Sequence, residues 1–391
     1  MQHKKYIIIG NGIAGHAAAL QIRKEDTDGG ILMISKEAHH TYYRLKLTEM
    51  IAHPLAEKDL YIMTEEVARD AHIDVILSHG VEEIRTDDKT VRLDNGDVWQ
   101  YDKLLLATGS VSFIPKTKGE DKKNVISLRT LEDLARMKEA FARSETVTVV
   151  GGGLLGLEAA YALLEQGLRV HVVEMAPWLL PRQLDHPSSA FLTEELEEKG
   201  LLIHTDRYVT EILGEDSVTG VRLQTGEEIP CDGVLFNIGV RPETQLAKAA
   251  GLSVDKGIIV NGHMQTNVED VYAAGDCIEY NGTCFGLWTQ SNAQGRIAGT
   301  NMTGKQLLYE RPKLFSQLKL GDLILFSSGD VQNYDEMREY QAEDQNFKKI
   351  FFREGKPVGA ILYGDTKAMG AVNKMLDGDI SFAEFKEKHI H

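Results

Sequence analysis

Apolar residues fall along this chain in short, fully apolar runs that alternate with stretches of helical spacing. The first run, Tyr6–Ile9, leads through glycines into an alanine-rich helical pattern. From Lys5 to about Gly109 this alternation continues and closes on LLLATG at Leu104–Gly109. A second alternating stretch, from about Ser110 to Cys231, is built around TVTVVGGG. Strand-rich sequence then returns, ends in DVYAAGD, and gives way to a helix predicted from Asn292. Continuous apolar runs between helices are the mark of parallel strands covered on both faces. Beyond about Gly304 the pattern predicts strands at Leu323–Phe326, Lys348–Phe352 and, after the turn REGKP, Val358–Tyr363. A final helix is predicted near Thr366–Leu376, so this last part reads as a small α+β domain.

A length of 391 residues suggests two or three domains rather than one core. Hydrophobic residues make up 42% and charged residues 26%, and no apolar run reaches the roughly 18–20 residues that span a bilayer. The opening MQHKKYIIIGNG has a basic start, but its apolar part is too short for a signal core and reads as a buried first strand. The net charge of −16 argues against nucleic acid or an anionic membrane as partner. Three cysteines, Cys231, Cys277 and Cys284, are too few for a disulfide framework and fit a reducing cytoplasm.

Two glycine-rich strand–turn–helix units lie about 140 residues apart. In YIIIGNGIAGHAAAL, Gly10, Gly12 and Gly15 have the spacing G-x-G-x-x-G. The first glycine permits the tight turn, the second lets backbone approach a pyrophosphate, and the third lets helix and strand pack closely. Unpaired N–H groups at the helix start then face the phosphates. TVTVVGGGLLGLEAAYAL repeats the spacing with Gly151, Gly153 and Gly156. The strand predicted at Arg169–Val173 ends in Glu174, which stands 23 residues after Gly151. A carboxylate there accepts hydrogen bonds from the ribose of NAD and repels the extra phosphate of NADP. The first unit is less tidy: Ile31–Ile34 runs into Ser35, Lys36 and Glu37, with Glu37 the candidate ribose contact and Lys36 a residue over the adenosine. The fold class is therefore α/β, with two Rossmann-like dinucleotide-binding domains and a small C-terminal α+β domain. The boundaries are 1–109 with 232–304, 110–231, and 305–391.

With LLLATG, FNIGVRP at Phe236–Pro242 and TNVEDVYAAGD at Thr266–Asp276, the chain resembles the FAD-dependent pyridine nucleotide–disulfide oxidoreductases. These signatures occur in the family's order and extend over the whole chain. Within that superfamily, YYRLKL at Tyr42–Leu47 and LPRQLD at Leu180–Asp185 are similar to NADH:rubredoxin oxidoreductases and the flavoprotein part of NADH-dependent nitrite reductases. VGAILYGD at Val358–Asp365 resembles the family's interface domain. The resemblance implies FAD along Gly10, Gly12, Ile13, Ala14 and Gly15, with Arg44 on its pyrophosphate and Asp276 on its ribityl chain. It also implies cofactor contacts from Leu47, Val81, Ala107, Thr108, Gly109, Gly239 and Gly275. Trp288, Thr289 and Gln290 should lie beside the isoalloxazine. NADH is implied over Gly151, Gly153, Leu154, Leu155 and Gly156, with Glu174 on its ribose and Glu158 near the nicotinamide carboxamide.

Departures from the family are as informative. No cysteine precedes Cys231, so the early redox cysteine of disulfide-using members is missing. Some relatives carry a lysine at Glu49 that pairs with the glutamate at Glu158, so the charge there must be balanced differently. The cysteines of an iron–sulfur and sirohaem module are also lacking, so the chain is not expected to reduce nitrite alone through such a centre. Cys277 is either a redox thiol, paired with Cys284, or a small buried residue. His39–His40 and His389-x-His391 lack accompanying ligands, so no metal site is predicted. Trp288 gates the flavin or is plain core; Lys46 holds phosphate or is merely exposed.

The expected activity is hydride transfer from NADH to FAD, with Glu158 and Trp288 at the reacting end, followed by electron transfer to a rubredoxin-like protein. An NADH oxidase or peroxidase, an electron-transfer component for nitrite or nitrate reduction, and a non-catalytic redox sensor are the alternatives. Monomer and homodimer both fit.

Overall fold

The computed structural model describes residues 2–311, 315–341 and 346–390. The chain forms two compact units, one of 1–46, 55–112 and 239–312, the other of 47–54, 113–238 and 313–391.

The first unit is built on a seven-stranded sheet. Strands Ile73–Ile76, Ile31–Ile34, Gln2–Ile9 and Val98–Leu106 run parallel in that spatial order. The long strand Val98–Leu106 serves two neighbours on its other side: antiparallel Thr90–Leu93 near its start and parallel Val271–Ala273 at its end. Its register sets Ile7 opposite Leu104 and Ile9 opposite Leu106, and all four are buried. Helices Ile13–Glu25 and Trp288–Met302 pack together through small residues, because a Cβ on Gly295 or Gly299 would strike the backbone of Ala14 or Ala18.

The second unit holds a five-stranded parallel sheet in the order Leu202–His204, Arg169–Val173, Thr146–Val150, Gly233–Phe236 and Val125–Ser127. A three-stranded antiparallel sheet, Val209–Leu213 with Gly220–Leu223 and Glu228–Pro230, adds to it. The C-terminal part of this unit is a five-stranded antiparallel sheet with helices Met369–Asp377 and Phe382–His389.

Several expectations need adjusting. The helix predicted from Asn292 begins a turn earlier, at Trp288, because Gln290 and Ser291 are buried polar groups that give no apolar rhythm. The last predicted helix runs from Met369 to Asp377. Strands Phe315–Leu320 and Glu336–Gln341, and the helix Phe382–His389, were not foreseen. Among the described residues no helix is long and apolar enough to cross a membrane.

Candidate functional site

Each glycine fingerprint folds into the same turn. Gly10 has φ +117°, its N–H donates to Ile34 O at 2.8 Å, and a Cβ there would strike the carbonyl of Ala107. A Cβ on Gly15 would strike the carbonyl of Gly10. Gly12 differs, with nothing within 4 Å of the place its Cβ would take. It caps the helix Ile13–Glu25 without any side-chain hydrogen bond, so the first-turn N–H groups remain available to an anion. Ile13 is half-buried and Ala14 is buried against Gly275.

The second turn matches it residue for residue. Gly151 has φ +117° and lies against the carbonyl of Asn237, and Gly156 lies against the carbonyl of Gly151. Gly153 is open, and it caps Leu154–Glu165 with no side-chain bond. Leu154 is half-buried and Leu155 exposed. At the end of the next strand the Glu174 carboxylate accepts the N–H groups of Gly152 and Ala176, both at 2.7 Å. Its charge is thereby fixed at the rim of the turn.

In the first unit Ser35 Oγ accepts the Glu37 N–H, and Glu37 accepts from Tyr42 OH at 2.7 Å and Arg44 Nη2 at 2.6 Å. The Arg44 guanidinium lies 4.8 Å from the centre of the Tyr42 ring. Lys36 is exposed and runs along Gly80, next to buried Val81. Asp276 accepts from Ser110 Oγ at 3.0 Å and Ser291 Oγ at 2.8 Å, and Gly275 N–H donates to Gln294 Oε1. Ala107 N–H donates to Ile9 O, and Thr108 Oγ1 donates to Glu243 O at 2.8 Å. Gly109 and Gly239 both have positive φ. Trp288 stacks on Tyr43 with 6.1 Å between ring centres, Thr289 is exposed, and buried Gln290 accepts from Tyr309 OH. Lys46 donates to Asp59 O.

Buried Leu47 belongs to the second unit, as does Glu158. Glu158 Oε2 accepts from Thr48 Oγ1 at 2.8 Å, and burial pushes its carboxyl up to about 7, with Glu49 adding to the shift. Ser110, Ser291 and Thr48 escaped the sequence reading because each meets its partner through the fold, not through spacing.

The structure removes the geometric basis for the redox-thiol option. All three cysteines are free; Cys277 is buried, directs its Sγ at the carbonyls of Leu106 and Ala274, and is pushed up to about 11 by burial. A reactive thiol would instead be driven toward the thiolate. His39 Nδ1 bonds Tyr61 OH, and His391 lies outside the described residues.

Residues 4–296 match the pyridine nucleotide–disulphide oxidoreductase family. This chain belongs to that family. Residues 315–380 match the rubredoxin NAD+ reductase C-terminal domain. The chain is similar to a nitrite reductase [NAD(P)H] of Bacillus subtilis (strain 168), with 34% identity over 98% of the chain and 48% of that protein. It is 29% identical to the NADH-rubredoxin oxidoreductase of Clostridium acetobutylicum, over 98% of the chain and 97% of that protein. A ferredoxin reductase structure from Rhodopseudomonas palustris superposes with a TM-score of 0.89 at 27% identity, covering 97% of this chain and 95% of that one. The chain spans about half the length of the nitrite reductases it matches. FAD and NADH are the cofactors of these oxidoreductases, and the residues present fit both: each open glycine leaves room for a pyrophosphate where a Cβ would stand.

Proposed function

We propose that this protein takes a hydride from NADH onto FAD and hands the electrons to a separate small redox protein, a rubredoxin-like iron protein. The carrying observation is the pair of matching glycine turns, each with an open second glycine at an uncapped helix start. The near full-length similarity to an NADH-rubredoxin oxidoreductase supports the acceptor class. FAD, when bound, supplies the two-electron to one-electron conversion. The protein's part is positioning: Gly10–Gly15 and Arg44 for the pyrophosphate, Asp276 for the ribityl hydroxyls, Thr289 and Trp288 beside the ring, Gly151–Gly156 and Glu158 for NADH. The fixed carboxylate of Glu174 favours NADH over NADPH. Residues 1–109 with 232–304 are assigned to FAD, 110–231 to NADH, and 305–391 to an interface domain. The three free cysteines support a reducing, cytoplasmic setting.

The test is anaerobic: NADH should bleach the bound flavin, and oxidised rubredoxin should restore its colour. Restoration by no small redox protein would defeat the acceptor assignment. A second reading, an electron-transfer component for nitrite or nitrate reduction, is favoured by the 34% identity to a nitrite reductase about twice as long. It requires faster re-oxidation by a nitrite- or nitrate-reducing partner than by rubredoxin.

A further inference from the structure

Residues 47–54 fold with the second unit, although the residues on either side of them in sequence belong to the first. Their short helix Glu49–Ala52 packs on the second fingerprint helix, Leu154–Glu165. Side chains tie the two together. Thr48 Oγ1 donates to Glu158 Oε2 at 2.8 Å, Gln166 Nε2 donates to Ala52 O at 3.4 Å, and His53 Nε2 lies 3.2 Å from Glu165 Oε2.

Among the described residues Glu158 has no cationic partner, and Oε1 has no hydrogen bond. The elements packed on its helix carry Glu49, Arg169, His171 and Lys319, with none titratable on Thr146–Val150; Tyr161 and Glu165 share its own helix, and His53 follows Glu49–Ala52. Of these only Glu49 acts on the Glu158 carboxyl, and a second carboxylate favours the neutral acid. Burial works in the same direction and is the largest influence, while the Thr48 bond opposes it.

We propose that Glu158 meets NADH as a carboxylic acid, donating a hydrogen bond from Oε1 to the nicotinamide carboxamide oxygen, with Thr48 as the residue that positions it. This rests on the reading of the second turn as the NADH site. The Thr48 hydroxyl occupies Oε2 as donor, so the acid proton belongs on Oε1, the oxygen without a protein partner. An ionised Glu158 has no proton to give. It would have to turn the carboxamide round to its NH2 group while holding a half-buried negative charge beside Glu49. Glu158 is charge-balanced by its own proton rather than by a neighbouring cation.

The experiment uses the FAD-loaded protein and 1,4,5,6-tetrahydro-NADH, a dinucleotide that cannot give up hydride. Its Kd is measured by calorimetry from about pH 6 to about pH 8.5. The wild type should bind roughly thirtyfold more weakly at the alkaline end, because each pH unit above the midpoint removes the acid form tenfold. Glu158→Gln, whose amide donates at every pH, should give a flat profile. Thr48→Val should move the midpoint upward, because a bond favouring the charged form is gone, and Thr48→Ser should restore it. Flavin absorbance reports that each variant is folded and loaded. Matching pH profiles in the wild type and Glu158→Gln, or an unmoved midpoint in Thr48→Val, would overturn the proposal. Absence of binding at every pH in the wild type would instead defeat the NADH reading itself.

Discussion

Gly10 and Gly12 are two residues apart and serve different ends. Gly10 has a positive φ and a carbonyl where its Cβ would stand, so Gly10→Ala should destabilise the protein by about 2 kcal/mol or more in urea unfolding. Gly12 has φ −87° and open space, so Gly12→Ala should cost apoprotein stability only about 1 kcal/mol or less, the effect of a poorer helix cap. Its flavin-to-protein absorbance ratio should nevertheless fall, because the new methyl stands where the pyrophosphate is proposed to lie. Glu174 is a second separable residue. In Glu174→Gln the repulsion of the 2′-phosphate is lost, and the preference for NADH over NADPH in kcat/KM should narrow by about tenfold. The first acid was legible from its distance to Gly151. The Thr48–Glu158 pair was not, since 110 residues separate its members.

At the scale of elements, the strands Ile31–Ile34 and Arg169–Val173 were legible to the residue, the first as an unbroken apolar run buried on both faces and the second from its valines between the second glycine-rich helix and Glu174. The strands Phe315–Leu320 and Glu336–Gln341 were not. They are the two edge strands of the C-terminal sheet, and their exposed, charged positions break the pattern. The helix Phe382–His389 buries only Phe385 and rests instead on a capping box between Ser381 and Glu384. The C-terminal sheet joins the rest of its unit through aromatic contacts of Phe191 with Phe347 and Tyr363 and through buried polar pairs. Buried Lys349 pairs with buried Asp185 at 3.1 Å, and Gln332 donates to the carbonyls of Pro181 and Leu184. Asp185 also caps the helix His186–Glu198. Lys349→Met should therefore lower stability by about 3 kcal/mol, since it strands a buried carboxylate. Adding Asp185→Asn should recover part of the loss, and urea unfolding of the single and double variants checks both.

Over the whole molecule the net charge of −16 sets a long-range field that any carrier must cross. With an acidic carrier, kcat/KM should rise as salt goes from about 0.02 to about 0.2 M, because screening shortens the reach of the repulsion from roughly 20 Å to roughly 7 Å. Stopped-flow re-oxidation at several ionic strengths measures this, and a fall would place a basic docking patch at the contact.

The amino-acid sequence by itself determined the architecture and the two dinucleotide turns. Those depend on local geometry, such as a glycine at positive φ and an acid at a strand end, which residue type and spacing encode directly. Tertiary structure alone decided that Ser110 and Ser291 hold Asp276, that Cys277 is a sealed thiol, and that Thr48 meets Glu158. Long-range contact sets the orientation of these groups and burial raises the Cys277 thiol and the Glu158 carboxyl, and neither effect is written in the spacing of residues along the chain.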